Sequence, residues 1–311
     1  MIQPAAFLQH LAGHGISFYA GVPDSLLKGL LACIEKKESR NHFIAANEGA
    51  ALGLAAGYHL ATGGLPVVYL QNSGMGNLVN PLTSLTDAEM YQIPILFIIG
   101  WRGEPGIPDE PQHAVMGKIT PAMLNLLNIP FIVLKKDNDP QWKNLVNEAV
   151  VLCSSRNRAV ALLVEAGVFA DDDLEINGGH ELSSENAIQL VYNSLHADDA
   201  VVCTTGKIGR AFYKINAVEK KIKACFLNVG SMGHAASIAT GIALHRKNRV
   251  VLFDGDGALL MHTGALALTA SLRLKNLVYV LLNNGAHQSV GSQPTLGFSV
   301  DFCTIAKGFG F

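Results

Sequence analysis

Asp256 is the residue of this 311-residue chain around which chemistry is most readily built. It lies between Gly255 and Gly257, just after the apolar run Val250 to Phe253. Flanking glycines let the backbone approach an anion closely while the carboxylate points outward. A helical pattern, Ala258 to Arg273, follows at once, and free N–H groups at a helix start suit phosphate oxygens. A second apolar run, Leu277 to Leu282, closes on Asn283-Asn284, and Asn284 offers a neutral amide oxygen. One carboxylate, one amide oxygen and a nearby backbone carbonyl make a hard, oxygen-only set suited to magnesium shared with a ligand's phosphates. The set is too poor in charge to hold the ion alone, so it implies a diphosphate-bearing cofactor. Gly-Asp-Gly is also common turn chemistry; its pairing with Asn-Asn at the next strand end is what makes it specific.

A second carboxylate, Glu48, stands in Ala45-Ala46-Asn47-Glu48-Gly49-Ala50-Ala51, where a strand hands over to an Ala/Gly-rich helix. The helix dipole favours an acidic residue there whatever its function. Both flanks are small and apolar, however, and a carboxyl buried among such neighbours has a raised pKa and can share a proton.

The elements that must position these groups follow from the apolar pattern. Residues 1 to about 165 alternate helical spacing, as in Leu26-Leu27-Leu30-Leu31, with short continuous apolar runs: Ile16 to Val22, Phe43 to Ala46, Val67 to Leu70, Ile95 to Ile99, Phe131 to Leu134 and Val160 to Val164. Such runs suit parallel strands buried on both faces. A second series follows: Val201 to Cys203, Cys225 to Val229, Val250 to Phe253 and Val278 to Leu282. The fold class is therefore α/β, with two doubly wound parallel-sheet domains: 1–168, an acidic and Gly-rich linker at 169–183, and 184–311. Liganding groups at strand ends are expected at the carboxyl edge of each sheet. After Asn284 one more helical stretch, Phe302 to Phe309, precedes the last residue, and the second domain is expected to be incomplete.

Composition narrows the function classes. With 49% hydrophobic and 15% charged residues the chain is globular, and a net charge of −2 argues against nucleic acid or an anionic membrane as partner. No apolar run reaches the roughly 18 residues a membrane span needs, and the N-terminal stretch lacks the basic flank and apolar core of a secretory signal. Cys33, Cys153, Cys203, Cys225 and Cys303 are scattered and mostly within apolar segments, as expected of buried, reduced thiols in a cytoplasmic protein.

The Gly-Asp-Gly stretch closed by Asn-Asn resembles the signature of the thiamine diphosphate-dependent enzymes. That resemblance implies thiamine diphosphate and Mg2+ as cofactors, with Asp256, Asn284 and the backbone oxygen of Ala286 as metal ligands. It places Gly206, Lys207, Ser231, Gly255, Gly257 and Ala258 along the cofactor, and Met232 under its bent middle, although methionine is more often adaptable core filler. Ala46 to Ala51 is similar to the family's pyrimidine-binding segment, so Glu48 is expected to hydrogen-bond N1′ of the aminopyrimidine. The family's sites lie between subunits, which implies a homodimer or homotetramer.

Substrate choice is expected in three loops. The first, Gly21-Val22-Pro23-Asp24-Ser25, brings Asp24 and Ser25 as catalytic candidates. The second runs from Trp101-Arg102-Gly103-Glu104 to Lys118 and is long and rich in Pro, Gly and ionisable groups, a composition typical of functional loops. Arg102, Gln112 and Lys118 are its substrate-binding candidates, with Arg102 suited to a phosphonate through bidentate geometry. The third, Gly285-Ala286-His287-Gln288-Ser289 through Gln293-Pro294-Thr295 after Asn284, adds Gln288. His113 and His287 are candidate proton donors, since imidazole titrates near neutral pH. Together the loops resemble the phosphonopyruvate decarboxylase branch of the family. The reaction so implied is non-oxidative decarboxylation of 3-phosphonopyruvate to phosphonoacetaldehyde and carbon dioxide, in phosphonate biosynthesis. A sulfopyruvate decarboxylase, another thiamine-dependent 2-oxo acid decarboxylase, and a non-catalytic cofactor-binding chain are the alternatives.

Overall fold

The computed structural model describes residues 1–38, 40–137, 141–171 and 182–311. The chain divides into two compact units, Met1–Glu175 and Ile176–Phe311. Most of the expected linker lies outside the described residues. Phe169, read as its first residue, is buried in the first core and bridges Ile2, so the packing of that unit extends past residue 168.

The first unit contains α1 (Pro4–Gly13), β1 (Tyr19–Gly21), α2 (Lys28–Lys37), β2 (His42–Ile44), α3 (Glu48–Thr62), β3 (Val67–Gln71), the single turn α4 (Val79–Pro81), β4 (Leu96–Gly100), α5 (Ala114–Leu126), β5 (Phe131–Leu134), α6 (Trp142–Arg156) and β6 (Val160–Val164). Its six strands run parallel in the order β2-β1-β3-β4-β6-β5. Alternate side chains feed two cores, one on each face. Val67, Tyr69, Leu96 and Ile98 join the α1, α2 and α6 side, while Val68, Leu70, Phe97 and Ile99 join the α3 and α5 side. Full burial of each such side chain contributes roughly 1.5–3 kcal/mol, which is why these runs carry no polar alternation.

The second unit contains α7 (Ser184–Asn193), β7 (Ala200–Cys203), α8 (Lys207–Glu219), β8 (Ala224–Leu227), α9 (Ala235–His245), β9 (Val250–Gly255), α10 (Asp256–Met261), α11 (Ala265–Ser271), β10 (Leu277–Leu282) and α12 (Phe302–Phe309). Its strands are parallel in the order β10-β9-β7-β8. Val251 and Phe253 enter one core and Val250 and Leu252 the other.

The sequence expectations hold for the strands and differ in three places. The helix expected over Ala258 to Arg273 is two helices: α10 begins at Asp256 itself, and the chain breaks at His262 before α11. Thr263 turns its hydroxyl back onto Leu259 O at 3.0 Å, a local bond that competes with the helical ladder. The run from Ile16 yields a strand only from Tyr19, because Ile16 N still bonds Leu11 O behind α1. Cys225 and Cys303 are exposed, unlike the other three cysteines, and Cys225 lies on the edge strand β8. Among the described residues, no helix is long and apolar enough to cross a membrane.

The order of assembly reverses between β1 and β3 in the first sheet, where β6 also inserts between β4 and β5, and between β7 and β9 in the second. Such switch points open a crevice at the carboxyl ends of the strands, where ligands of open α/β sheets bind. Asp24 follows β1, and Lys207 and Asp256 follow β7 and β9.

Candidate active site

In the first unit Glu48 opens α3, behind Asn47, whose side chain caps the helix by accepting from Ala50 N at 2.9 Å. Glu48 is 5% exposed, and Asn77 Nδ2 donates to its Oε2 at 2.6 Å. Burial raises its pKa, and the bond from Asn77 opposes the rise. The loop after β3 closes on this carboxylate: a Cβ at Gly74 would sit 2.0 Å from Glu48 Oε1, so a larger residue there would push the carboxylate from its place. Gly74 and Asn77 escaped the sequence reading. Their signal was the Gly/Asn/Ser cluster Asn72–Asn77 directly after a strand.

Asp24 is fully buried, and burial pushes its pKa up to about 7 against the pull of Arg102. Its Oδ2 accepts from Leu26 N at 3.2 Å, while Oδ1 is buried without a hydrogen-bond partner. Space for this carboxyl depends on Gly100, where a Cβ would lie 1.8 Å from Oδ2. Ser25, the next residue, accepts a hydrogen bond from Arg102 Nη1 at 2.6 Å. Ser25, Trp101, Arg102, Glu104 and Asp109 help line a cavity of about 290 Å³. The backbone at Arg102 is pinned by buried Asn72, which accepts from Arg102 N at 3.1 Å and donates to Arg102 O at 2.8 Å.

The other loop candidates fare differently. His113 is half-buried with its Nδ1 3.5 Å from Gln71 Nε2, and burial and the charge of Arg102 lower its pKa. Gln112 is half-buried beside it. Lys118 is exposed on α5 and outside the cavity lining, so the structure does not bring it to Arg102.

In the second unit Asp256 is 3% exposed at the first position of α10, where Gly255 and Gly257 flank it. Thr295 Oγ1 donates to its Oδ2. Asn284 Oδ1 accepts from Ala286 N at 3.1 Å, and Ala286 O accepts from Gln288 N at 2.9 Å; each oxygen keeps a second lone pair. His287 lies over Gly257, its Cε1 2.9 Å from where a Cβ would stand; burial lowers its pKa and the Asp256 carboxylate opposes this. Gln288 is exposed.

Gly206 has φ +86° before Lys207, an exposed residue that opens α8, and a Cβ on Gly206 would meet Ser289 Oγ at 2.9 Å. The loops after β7 and β10 therefore meet. Ser231 is exposed and Met232 half-buried, in a loop held by Asn228, which donates to Ser231 O at 2.6 Å and accepts from Ser231 N at 3.0 Å. Ala258 is buried in the first turn of α10. Beneath Asp256, the buried Asp254 accepts from Tyr279 OH at 2.5 Å.

The donor chemistry fits a magnesium diphosphate. Among the described residues no three His, Cys, Asp or Glu side chains converge. An ion here would be held by Asp256, Asn284 and the Ala286 carbonyl, with the ligand's phosphate oxygens completing an oxygen-only shell. The bare glycine turn and the start of α10 leave backbone N–H groups for the phosphates.

Comparison with known proteins agrees with this arrangement. The family profile described as "Thiamine pyrophosphate enzyme, N-terminal TPP binding domain" matches residues 4–124, and "Thiamine pyrophosphate enzyme, C-terminal TPP binding domain" matches 201–311. The phosphonopyruvate decarboxylase of Streptomyces viridochromogenes is 34% identical over all of this chain and 81% of its own length. That of Streptomyces hygroscopicus is also 34% identical, over all of this chain and 80% of its own. The sulfopyruvate decarboxylase of Methanosarcina acetivorans is 29% identical over 90% of this chain and 75% of its own. The chain belongs to the thiamine pyrophosphate enzyme family, on the branch that holds the phosphonopyruvate decarboxylases.

Proposed function

We propose that this chain decarboxylates 3-phosphonopyruvate to phosphonoacetaldehyde and carbon dioxide, with thiamine diphosphate and Mg2+. The observation that carries the substrate assignment is the cavity lined by Ser25 and Arg102. It offers an always-charged guanidinium and a hydroxyl to an anionic head group, a pairing that a pocket for a neutral or aromatic 2-oxo acid has no use for.

When bound, thiamine diphosphate supplies a nucleophilic carbon and a sink for the electrons that carbon dioxide leaves behind. The protein holds and moves protons around it. Glu48, protonated more readily than an ordinary carboxyl, would share a proton with the aminopyrimidine N1′. Asp256, Asn284 and Ala286 O would hold the ion, Gly206, Lys207 and Ala258 would flank the diphosphate, and Ser231 and Met232 would support the cofactor between its two rings. Asp24, with a pKa near 7, would deliver a proton to the product carbon once the packing over it opens, with Ser25 as its neighbour and His113 and His287 as further candidates. Arg102 meets the phosphonate, and Gln112 and Gln288 border the substrate; Lys118 would reach it only by a loop rearrangement. Two or more copies assemble so that Glu48 of one subunit and Asp256 of another share a site.

Carbon dioxide release on phosphonopyruvate, sulfopyruvate and pyruvate, measured side by side with thiamine diphosphate and magnesium, tests the reading. Preference for phosphonopyruvate is expected. Preference for sulfopyruvate would move the chain to the neighbouring branch, and equal rates on pyruvate would remove the role given to Arg102.

A further inference from the structure

Gln293 is fully buried, yet neither its amide nitrogen nor its amide oxygen has a hydrogen-bond partner. Among the described residues it is the side chain with two such atoms. Because both are unpartnered, the conclusion does not depend on which way round the amide is placed. A buried amide with no partner is destabilising, and native chains keep one where something other than the protein completes it.

Its position says what that is. His287 N donates to Gln293 O at 2.8 Å and Thr295 N to Gly285 O at 2.8 Å, on either side of an antiparallel bridge between Ala286 and Pro294. In such a pair, residues flanking the bridge put their side chains on one face, and cross-strand partners share that face. Thr295 and His287 show where the face looks: Thr295 Oγ1 bonds Asp256 Oδ2, and the His287 ring covers Gly257. Gln293 is the third residue of this face. Its amide presents a donor and an acceptor together, and the matching ligand must offer both. A hydrated magnesium diphosphate does, with acceptor oxygens on phosphorus and donor waters on the ion.

We propose that Gln293 is a cofactor-binding residue, whose amide, on the face it shares with His287 and Thr295, would offer a donor and an acceptor to a magnesium diphosphate. This rests on the placement of Asp256 at the ion.

The test is titration of the chain with thiamine diphosphate in the presence of magnesium chloride, followed calorimetrically, alongside thermal melting without ligand. Gln293→Met keeps size and removes both polar atoms; Gln293→Leu is a second uncharged replacement that removes both. The expected result is a Kd at least tenfold weaker in both, with the ligand-free Gln293→Met protein melting at or above the wild-type temperature. A Kd within threefold of wild type overturns the proposal, as does a lower melting point in ligand-free Gln293→Met, which would mean the amide has a protein partner. If Gln293→Met does not fold, the Kd of Gln293→Leu decides alone. Asp256→Ala is the control. Retained affinity there would remove the reading beneath, whereas lost affinity there with unchanged Gln293 variants would overturn this proposal only.

Discussion

Asp109 accepts hydrogen bonds from two nitrogens of Arg102, from Nε at 2.8 Å and from Nη2. Two backbone N–H groups, of Gly103 and Glu110, also donate to it, each at 2.7 Å. These bonds, those from Arg102 foremost, hold the Asp109 carboxyl well below the usual carboxylate range, while Asp109 in turn raises the pKa of Arg102. The guanidinium thus reaches the cavity in a fixed plane, with Nη1 at Ser25.

Asp109→Asn should leave that plane unheld. We expect KM for phosphonopyruvate to rise about tenfold, equivalent to about 1.4 kcal/mol, with the affinity for thiamine diphosphate unchanged. Asp109→Glu should recover part of the loss. Unaltered KM in Asp109→Asn would show that the loop orients Arg102 without it.

Glu48→Gln should lower kcat by a factor on the order of 10²–10⁴, the range for loss of a proton-transfer group, and spare cofactor binding. Turnover near the wild-type rate would sink the assignment of Glu48.

Asp256→Ala should abolish cofactor binding, and removal of magnesium by a chelator should do so reversibly in the wild type. Mixing the two inactive chains, Glu48→Gln and Asp256→Ala, should restore activity, because hybrid oligomers then contain some intact sites. Mixtures as inactive as their components, in oligomers shown to have exchanged subunits, would place both residues of a site on one chain.

The pH dependence of stability reports on Asp24. Its folded pKa of about 7 is raised from 3.8, so the folded chain binds this proton more tightly than the unfolded chain does. The stability this contributes is fully present below the unfolded value and is lost as pH rises through the folded one. Urea melts of Asp24→Asn and wild type at pH 4 and pH 8 should therefore differ in slope, the wild type losing on the order of a few kcal/mol more across the interval. Parallel losses in both proteins would rule out a raised Asp24 pKa.

What the sequence determined by itself is whatever depends on near neighbours in the chain. Continuous apolar runs marked the parallel strands, although β8 and β10 proved partly exposed, and glycines beside Asp256 marked the turn that opens α10. Glu48 was legible because its neighbours are small and apolar, and it is indeed buried at the start of α3. Partner choice at long separation was decided by the tertiary structure. Asn77 reaches Glu48 across 29 residues, and Thr295 reaches Asp256 across 39. Asp109 is only seven residues from Arg102, yet a loop rich in Pro and Gly leaves many ways to close, and packing selects one. The same holds for Lys118 and Gln293. A charge in a promising loop proved to be an exposed residue of α5, and a glutamine at the far end of the loop after Asn284, read only as part of a substrate-choice loop, proved to be buried and unpartnered. Burial and pairing are properties of the assembled unit, since they depend on which distant segments exclude water from a site.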